Sequence, residues 1–301
     1  MAIARDVASP ELTADRTADE ARRRALGRML RRYVPIAIGA AMALAMVVMA
    51  AAAPWIAPMS PSAQFADAVL KGPGAQDRHV LGTDEFGRDI YSRVIWGARV
   101  SLQVGLASVI FAFALGVPLG ILAGFQGRRT ETIIMRASDM LQAFPTLLLA
   151  LIIVTAMGGT LGNEILAIGI ALTPNFARLA RSLSLTIREQ DYILAARALG
   201  SGQLRLMARH VFPNALYALV VVGTLYIATA IRTEASLSFL GLGIPPPTPS
   251  WGNILSEGRQ YIKCCPWITT FSGLAIMLAV LAFNLVGDSL RDLLDPRLKG
   301  E

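Results

Sequence analysis

Apolar residues along this chain gather into long runs separated by shorter polar, arginine-rich or proline-rich segments. Val34 to Ala53, Val100 to Ala123, Met140 to Met157, Ala215 to Ile231 and Trp267 to Val286 approach or exceed the roughly 20 residues that an α-helix needs to cross a hydrocarbon core. A further run, Leu161 to Leu179, is less clear. Glu164 and Arg178 leave 13 uncharged residues between them, a length that by itself predicts a buried or re-entrant helix. Charge placement decides for a span: without this crossing, the arginine-rich stretch from Arg178 to Arg209 would share a side with the Lys/Arg-poor loops, against the tendency of basic residues to stay cytoplasmic. The expectation is an all-α polytopic membrane protein of about six transmembrane helices.

Composition agrees. Of 301 residues, 54% are hydrophobic and 16% charged, with a mean hydropathy of +0.52, more apolar surface than a water-soluble domain covers. With both termini inside, 20 of the 28 Lys and Arg residues fall in predicted cytoplasmic segments, eight of them in residues 1–32. The net charge of +7 thus marks the inner membrane face and its lipid, not nucleic acid. The expected organisation is a cytoplasmic tail over 1–32, a first transmembrane helix over 33–57 and an extracytoplasmic loop with an interfacial helix over 58–97. A five-helix core over 98–290 contains an inner loop at 190–213, and a cytoplasmic tail covers 291–301. Ala51 and Ala53 imitate a signal-peptide cleavage site, but the preceding 32-residue basic segment is too long for one.

The sequence carries no recognisable motif for bond chemistry. There is no phosphate loop, no H-E-x-x-H and no G-x-S-x-G, and the two histidines, His79 and His210, fall on opposite sides of the membrane, where they cannot share a metal. Cys264 and Cys265 are adjacent, a spacing that rarely forms a disulfide, and they read as two small apolar residues at a helix entrance. Neither a metal site nor a catalytic residue is predicted.

The longest inner loop carries Asp191-Tyr192-Ile193-Leu194-Ala195-Ala196-Arg197-Ala198-Leu199-Gly200 and then His210-Val211-Phe212-Pro213-Asn214. It reads as two short helices hinged at a glycine: Asp191 caps the first, Gly200 takes the left-handed conformation that ends it, Ser201 caps the second, and Pro213 suits the first turn of the next span. Small alanines beside Leu199 give a surface that another protein's groove can approach closely.

This segment resembles the coupling loop of ATP-binding-cassette importer permeases, whose pattern is Glu-Ala-Ala, three residues, Gly, nine residues and an apolar-x-Leu-Pro ending. Ala195, Ala196, Gly200 and Pro213 keep that spacing, while Leu194 stands for the Glu, His210 for the Ile and Phe212 for the Leu. The His-x-apolar-Pro-Asn ending is similar to that of the dipeptide, oligopeptide and nickel branch. So are Leu81 to Asp89 with Ser92-Arg93, Glu234 to Gly243, and Asn284 to Asp292 with Asp295-Pro296-Arg297; the first of these points to the second, C-type permease of a pair. The resemblance implies a type I importer permease fold, a heterodimer with a homologous permease, two cytoplasmic ATPase subunits that hold the ATP and Mg, and an extracytoplasmic binding protein. No cofactor is then expected on this chain. The coupling residues would be Asp191, Tyr192, Leu194, Ala195, Ala196, Ala198, Leu199, Gly200, His210 and Pro213. Cargo would be di- or oligopeptides in the inner membrane, with nickel or a metal chelate as the alternative within the branch and a membrane-embedded enzyme as the rival from another class.

Arg232 and Glu234 fall in the outer half of the fifth span, where ionisable groups face the bundle interior or water. They are candidate pathway-lining residues, Arg232 to accept a substrate carboxylate, against the plainer alternative that Arg232 snorkels or pairs with the partner permease. Being two apart, they point to different sides of the helix. Gly116, Gly120 and Gly124 are read as a helix-packing face. Pro118 and Pro145 are read as kinks or gating bends. Asp84, Arg88, Asp89 and Trp251 are candidate contacts for the binding protein, on a surface turn and on the stiff segment Pro245 to Trp251 respectively; internal ion pairing is the alternative for the first three.

Overall fold

A computed structural model describes residues 34–75 and 77–294. The tails predicted over 1–32 and 291–301 lie wholly or mostly outside the described residues, as does the Asp295-Pro296-Arg297 part of the last motif. Among the described residues the architecture is helical with no strand: α1 (Val34–Ala51), α2 (Ala53–Ile56), α3 (Ile90–Gln126), α4 (Arg128–Gln142), α5 (Thr146–Met157), α6 (Leu161–Arg188), α7 (Asp191–Ala198), α8 (Gln203–Leu206), α9 (Phe212–Phe239), α10 (Trp251–Gly258) and α11 (Trp267–Leu294). A π turn over Met207–Val211 joins α8 to α9 without a break, so Gln203–Phe239 is a single helix of 37 residues.

Among the described residues four helices are long and apolar enough to cross a membrane, and five if α4 and α5 together make one span. α6 adds a helix of 28 residues, about 42 Å at 1.5 Å per residue, long enough to cross but more polar than the others. The run Met140 to Met157 is not one helix. The chain bends by 87° at Pro145, whose ring and missing N–H end the helical ladder, and the apolar half, α5, has 12 residues, about 18 Å. Pro118, in contrast, lies within an unbroken α3.

The core is the pairing of α3 with α6, whose apolar side chains form one continuous buried cluster with those of α9. A Cβ on Gly116 would meet the Thr173 carbonyl oxygen at 2.6 Å, one on Gly120 would fall on the Ala177 carbonyl, and one on Gly124 would meet the Arg181 carbonyl oxygen at 2.6 Å. Contacts that advance by four residues on both helices in the same direction make the pair parallel, with the glycines removing the bulk that would hold the backbones apart. Phe176 fills the centre, its ring 5.7 Å from Phe113 and 5.2 Å from Tyr226, centroid to centroid. α9 lies beside α3, where Gly105 faces Ile231, and α11 beside α9, where Gly287 faces Leu225. α1 covers α11 at Gly39 and Leu285.

α3 starts ten residues before the apolar run Val100 to Ala123, because the Asp89 carboxylate accepts from the Ser92 amide at 2.8 Å and caps the helix there. The segment before it, predicted to carry an interfacial helix, holds only a 3₁₀ turn at Ala66–Ala68 among its described residues before Ile90. Cys265 is buried against Ile90, Ile254 and Ile268, while Cys264 is exposed, and both are free thiols.

Candidate functional site

Two regions carry the predicted residues, one at each end of the bundle. At the arginine-rich end, α7 stops in the geometry its sequence calls for. Gly200 adopts φ +85°, its amide bonds the Arg197 carbonyl at 3.0 Å, and the Ser201 amide bonds the Ala196 carbonyl at 3.1 Å, the paired closure of a left-handed helix end. The two predicted caps are not formed. Asp191 is the first residue inside α7, after an N-cap at Gln190, and α8 starts from Gly202 rather than Ser201; neither N-cap makes a side-chain hydrogen bond.

Ile193 is the buried anchor of α7, whereas Tyr192, Leu194 and Leu199 are exposed, Leu199 by 88%. Asp191, Ala195, Ala198 and Gly200 are exposed beside them, and Ala196 is half-buried. This apolar tip on an otherwise polar loop packs little against the rest of the chain. The Tyr192 and His210 rings, 6.3 Å apart, connect α7 to the π turn. Pro213 cannot donate to the ladder; the preceding turn widens to i→i−5 pairing, Phe212 amide to Met207 carbonyl, and the Asn214 side chain donates to the His210 carbonyl at 2.6 Å. The His-x-apolar-Pro-Asn pattern is thus a rigid joint between the loop and α9.

At the opposite end, Asp84, Arg88 and Asp89 are not on a surface turn. They are 0%, 5% and 1% exposed. Gly82 and Gly87, at φ +81° and +70°, fold the chain tightly enough that a Cβ on Gly87 would fall on the Phe65 carbonyl. Within this fold Asp84 accepts from the Phe86 and Arg88 amides at 2.9 Å, from Arg88 Nε at 2.6 Å, and from Arg93 Nη1. Glu257 of α10 accepts from Arg88 Nη2 at 2.9 Å and pairs with Arg93 Nη1 at 2.7 Å. Two carboxylates and two guanidiniums therefore tie loop, α3 and α10 into one unit. Asp84, Glu85 and Glu257 also gather within reach of a common point, but each of the three pairs with Arg88 or Arg93, which makes the cluster an ion-pair network. Asp89 bonds His79 at 3.1 Å.

Trp251 is likewise not interfacial. It opens α10 after the Ser250 cap, is fully buried, and donates from Nε1 to the Val94 carbonyl at 2.9 Å. The proline run ends in that cap, which is why the tryptophan turns inward. Exposed apolar side chains in the segment around the network come instead from Val80 and Phe86.

Glu85 is the member with an unbonded buried oxygen, Oε2. Burial first, then the neighbouring Asp84 and Glu257 carboxylates, push its carboxyl above the ordinary range, against a backbone hydrogen bond and Arg88. The fold thus favours the protonated acid, so this group's contribution is present at low pH and is lost as pH rises above the usual carboxylate range. Glu85→Gln is expected to raise or preserve the melting temperature at about pH 8 and to leave it unchanged at about pH 5; an equal fall at both values in thermal melts contradicts this account.

Arg232 is exposed on α9, and Glu234, two residues on, is fully buried, on different sides as predicted. Burial corrects Glu234 as a pathway-lining group: its carboxylate accepts from Ser101 at 2.9 Å and Ser238 at 3.0 Å inside the bundle. Near it lies Glu164 of α6, fully buried, with neither oxygen hydrogen-bonded. Glu257 and Ser101 had no signal in the sequence, since no spacing links them to their neighbours, while Glu164 stood out there only as a charge interrupting an apolar run.

These two ends define a class: a polytopic helical membrane protein with a glycine-ended helical loop at its arginine-rich end and an ion-paired cap at the other. Residues 116–300 match the family described as "Binding-protein-dependent transport system inner membrane component", and the chain belongs to that family. It is 49% identical over 251 residues to the "Di/tripeptide transport system permease protein DppC" of Pseudomonas aeruginosa, covering 82% of this chain and 83% of that one. A "Putative peptide transport system permease protein" of Brucella abortus is 45% identical over 274 residues, 91% of this chain and 92% of the other. The "Dipeptide transport system permease protein DppC" of Escherichia coli K12 is 45% identical over 249 residues, 81% and 83% of the two chains. Among solved structures, an inward-facing form of the MetNI methionine ABC transporter shares the fold, with a TM-score of 0.57 at 20% identity over 68% of this chain and 97% of that chain.

Proposed function

We propose that this chain is one of two permease halves of an ATP-driven importer of di- and oligopeptides in the bacterial inner membrane. A homologous permease completes the pathway, two cytoplasmic ATPase subunits bind and hydrolyse ATP, and a separate binding protein delivers the peptide. Both termini lie in the cytoplasm. The carrying observation is the loop from Asp191 to Pro213, in which Leu199 stands out of a glycine-ended helix on the arginine-rich side. ATP-driven closure of the partner subunits moves that loop, and the joint at His210 to Asn214 passes the motion to α9. Arg232, exposed on α9, is the candidate for contact with the peptide's carboxylate. Val80 and Phe86 are the candidates for touching the binding protein.

Reconstitution of the chain with its co-purifying subunits in proteoliposomes tests this. ATP-dependent accumulation of labelled di- and tripeptides, absent without the chain, is the expected outcome. Accumulation of nickel without peptide, or peptide flux that ignores ATP, refutes it.

A further inference from the structure

At the arginine-rich end a cavity of about 830 Å³ opens between two segments distant in sequence, the α3–α4 turn and the α7–α8 loop. Arg128 and Arg129 line it from the first and Arg197 from the second. Among the described residues none of the three has a carboxylate within ion-pair distance. The acids of α4 are engaged with α6, Glu131 with Arg181 and Asp139 with Arg178. Arg197 is held over the Phe125 ring at 5.5 Å from its centroid, which fixes its direction. The wall is otherwise uncharged, with Ser201 and Gln203 among its polar groups. The cavity thus offers three cations, several hydrogen-bond groups and no anion, in a volume that suits a small ligand.

We propose that this cavity binds a phosphate-bearing anion, and that its source is the headgroup of an anionic phospholipid of the cytoplasmic leaflet. Fork-shaped guanidiniums are the side chains best matched to phosphate oxygens. The membrane is the favoured source because Arg128 follows the apolar run ending at Ala123 by only five residues, at the turn just past the end of α3 at Gln126, which sets the cavity beside the end of a membrane-crossing apolar run and within reach of lipid headgroups. A lipid bound there would join the α3–α4 turn to the α7–α8 loop. Its effect on transport rests on the coupling role proposed above, whereas its binding does not.

The test uses the full chain with its co-purifying subunits in nanodiscs, titrated with phosphatidylglycerol, phosphatidylcholine or inorganic phosphate, with bound lipid counted by native mass spectrometry. The triple variant Arg128→Ala, Arg129→Ala, Arg197→Ala is set beside a charge-matched control, Arg136→Ala, Arg205→Ala, Arg209→Ala. Phosphatidylglycerol affinity is expected to fall roughly a hundredfold in the first variant, from about fivefold per basic residue, and only a few-fold in the control. The corresponding Arg→Lys triple variant should recover most of it, which separates lost charge from misfolding. Equal losses in the first variant and the control would reduce the cavity to general surface charge and overturn the proposal. Displacement of phosphatidylglycerol by millimolar inorganic phosphate, with phosphate binding lost in the first variant, would overturn the lipid source and leave a soluble phosphate as the ligand.

Discussion

An aspartate in place of Leu199 is expected to release the ATP-hydrolysing partner from this chain while leaving the bundle folded. The side chain is 88% exposed at the end of α7, so the fold loses almost nothing with it. A partner that buries it loses an apolar anchor and must desolvate a carboxylate, a change of about 2 kcal/mol or more for a central interface residue, or roughly thirtyfold in affinity. The measurement is quantitative retention of the ATPase subunits on the tagged chain, with ATP hydrolysis and peptide uptake followed in the same preparation. All three should fall together while the melting temperature of the isolated chain stays put. Full retention with unchanged uptake would mean that this loop is not the docking surface.

The second large effect is at the other end. Asp84→Asn keeps the shape of the side chain and removes its charge, leaving Arg93 with Glu257, and Arg88 with Glu257 and the longer contact to Glu85, in a site where both guanidiniums are almost fully buried. Breaking one partner out of a buried ionic group costs about 3–5 kcal/mol, because the remaining charge is stranded. On thermal unfolding in detergent the melting temperature should fall on the order of 10 °C. The double change Asp84→Leu, Arg93→Met should cost less than Asp84→Asn, since it removes a charge of each sign. If Asp84→Asn melts with the unaltered chain, the network does not brace the cap.

The sequence showed where helices lie because a bilayer demands apolar length, and that demand is written locally in runs such as Val100 to Ala123. The helix-packing role of Gly116, Gly120 and Gly124 was legible for the same reason, since their spacing is set by one helix. Gly200 was legible because only a residue without a Cβ ends a helix comfortably at positive φ. What lay hidden depends on distant parts of the chain. Asp84 and Arg88 looked like a surface turn because their partner, Glu257, is 169 residues beyond Arg88. Trp251 looked interfacial because the prolines before it imply an extended segment, whereas Ser250 caps a helix there and turns the ring inward. The bend at Pro145 was legible from the proline itself, but the apolar residues around it hid that it separates two helices, of which α4 is amphipathic and charged.

The joint formed by the π turn gives the molecule a mechanical property as well. Gln203 to Phe239 is a rod of 37 residues, about 55 Å long, reaching from the exposed loop to the buried carboxyl and serine groups at the far end. A lever of that length turns a tilt of about 5° at its base into a displacement of about 5 Å at its tip. The far end is the part of the rod that Ser101 of α3 and the α10 cap hold in place. A tilt of the loop end is therefore largest around Glu234, where the Ser101 and Ser238 hydrogen bonds hold the rod against its neighbours.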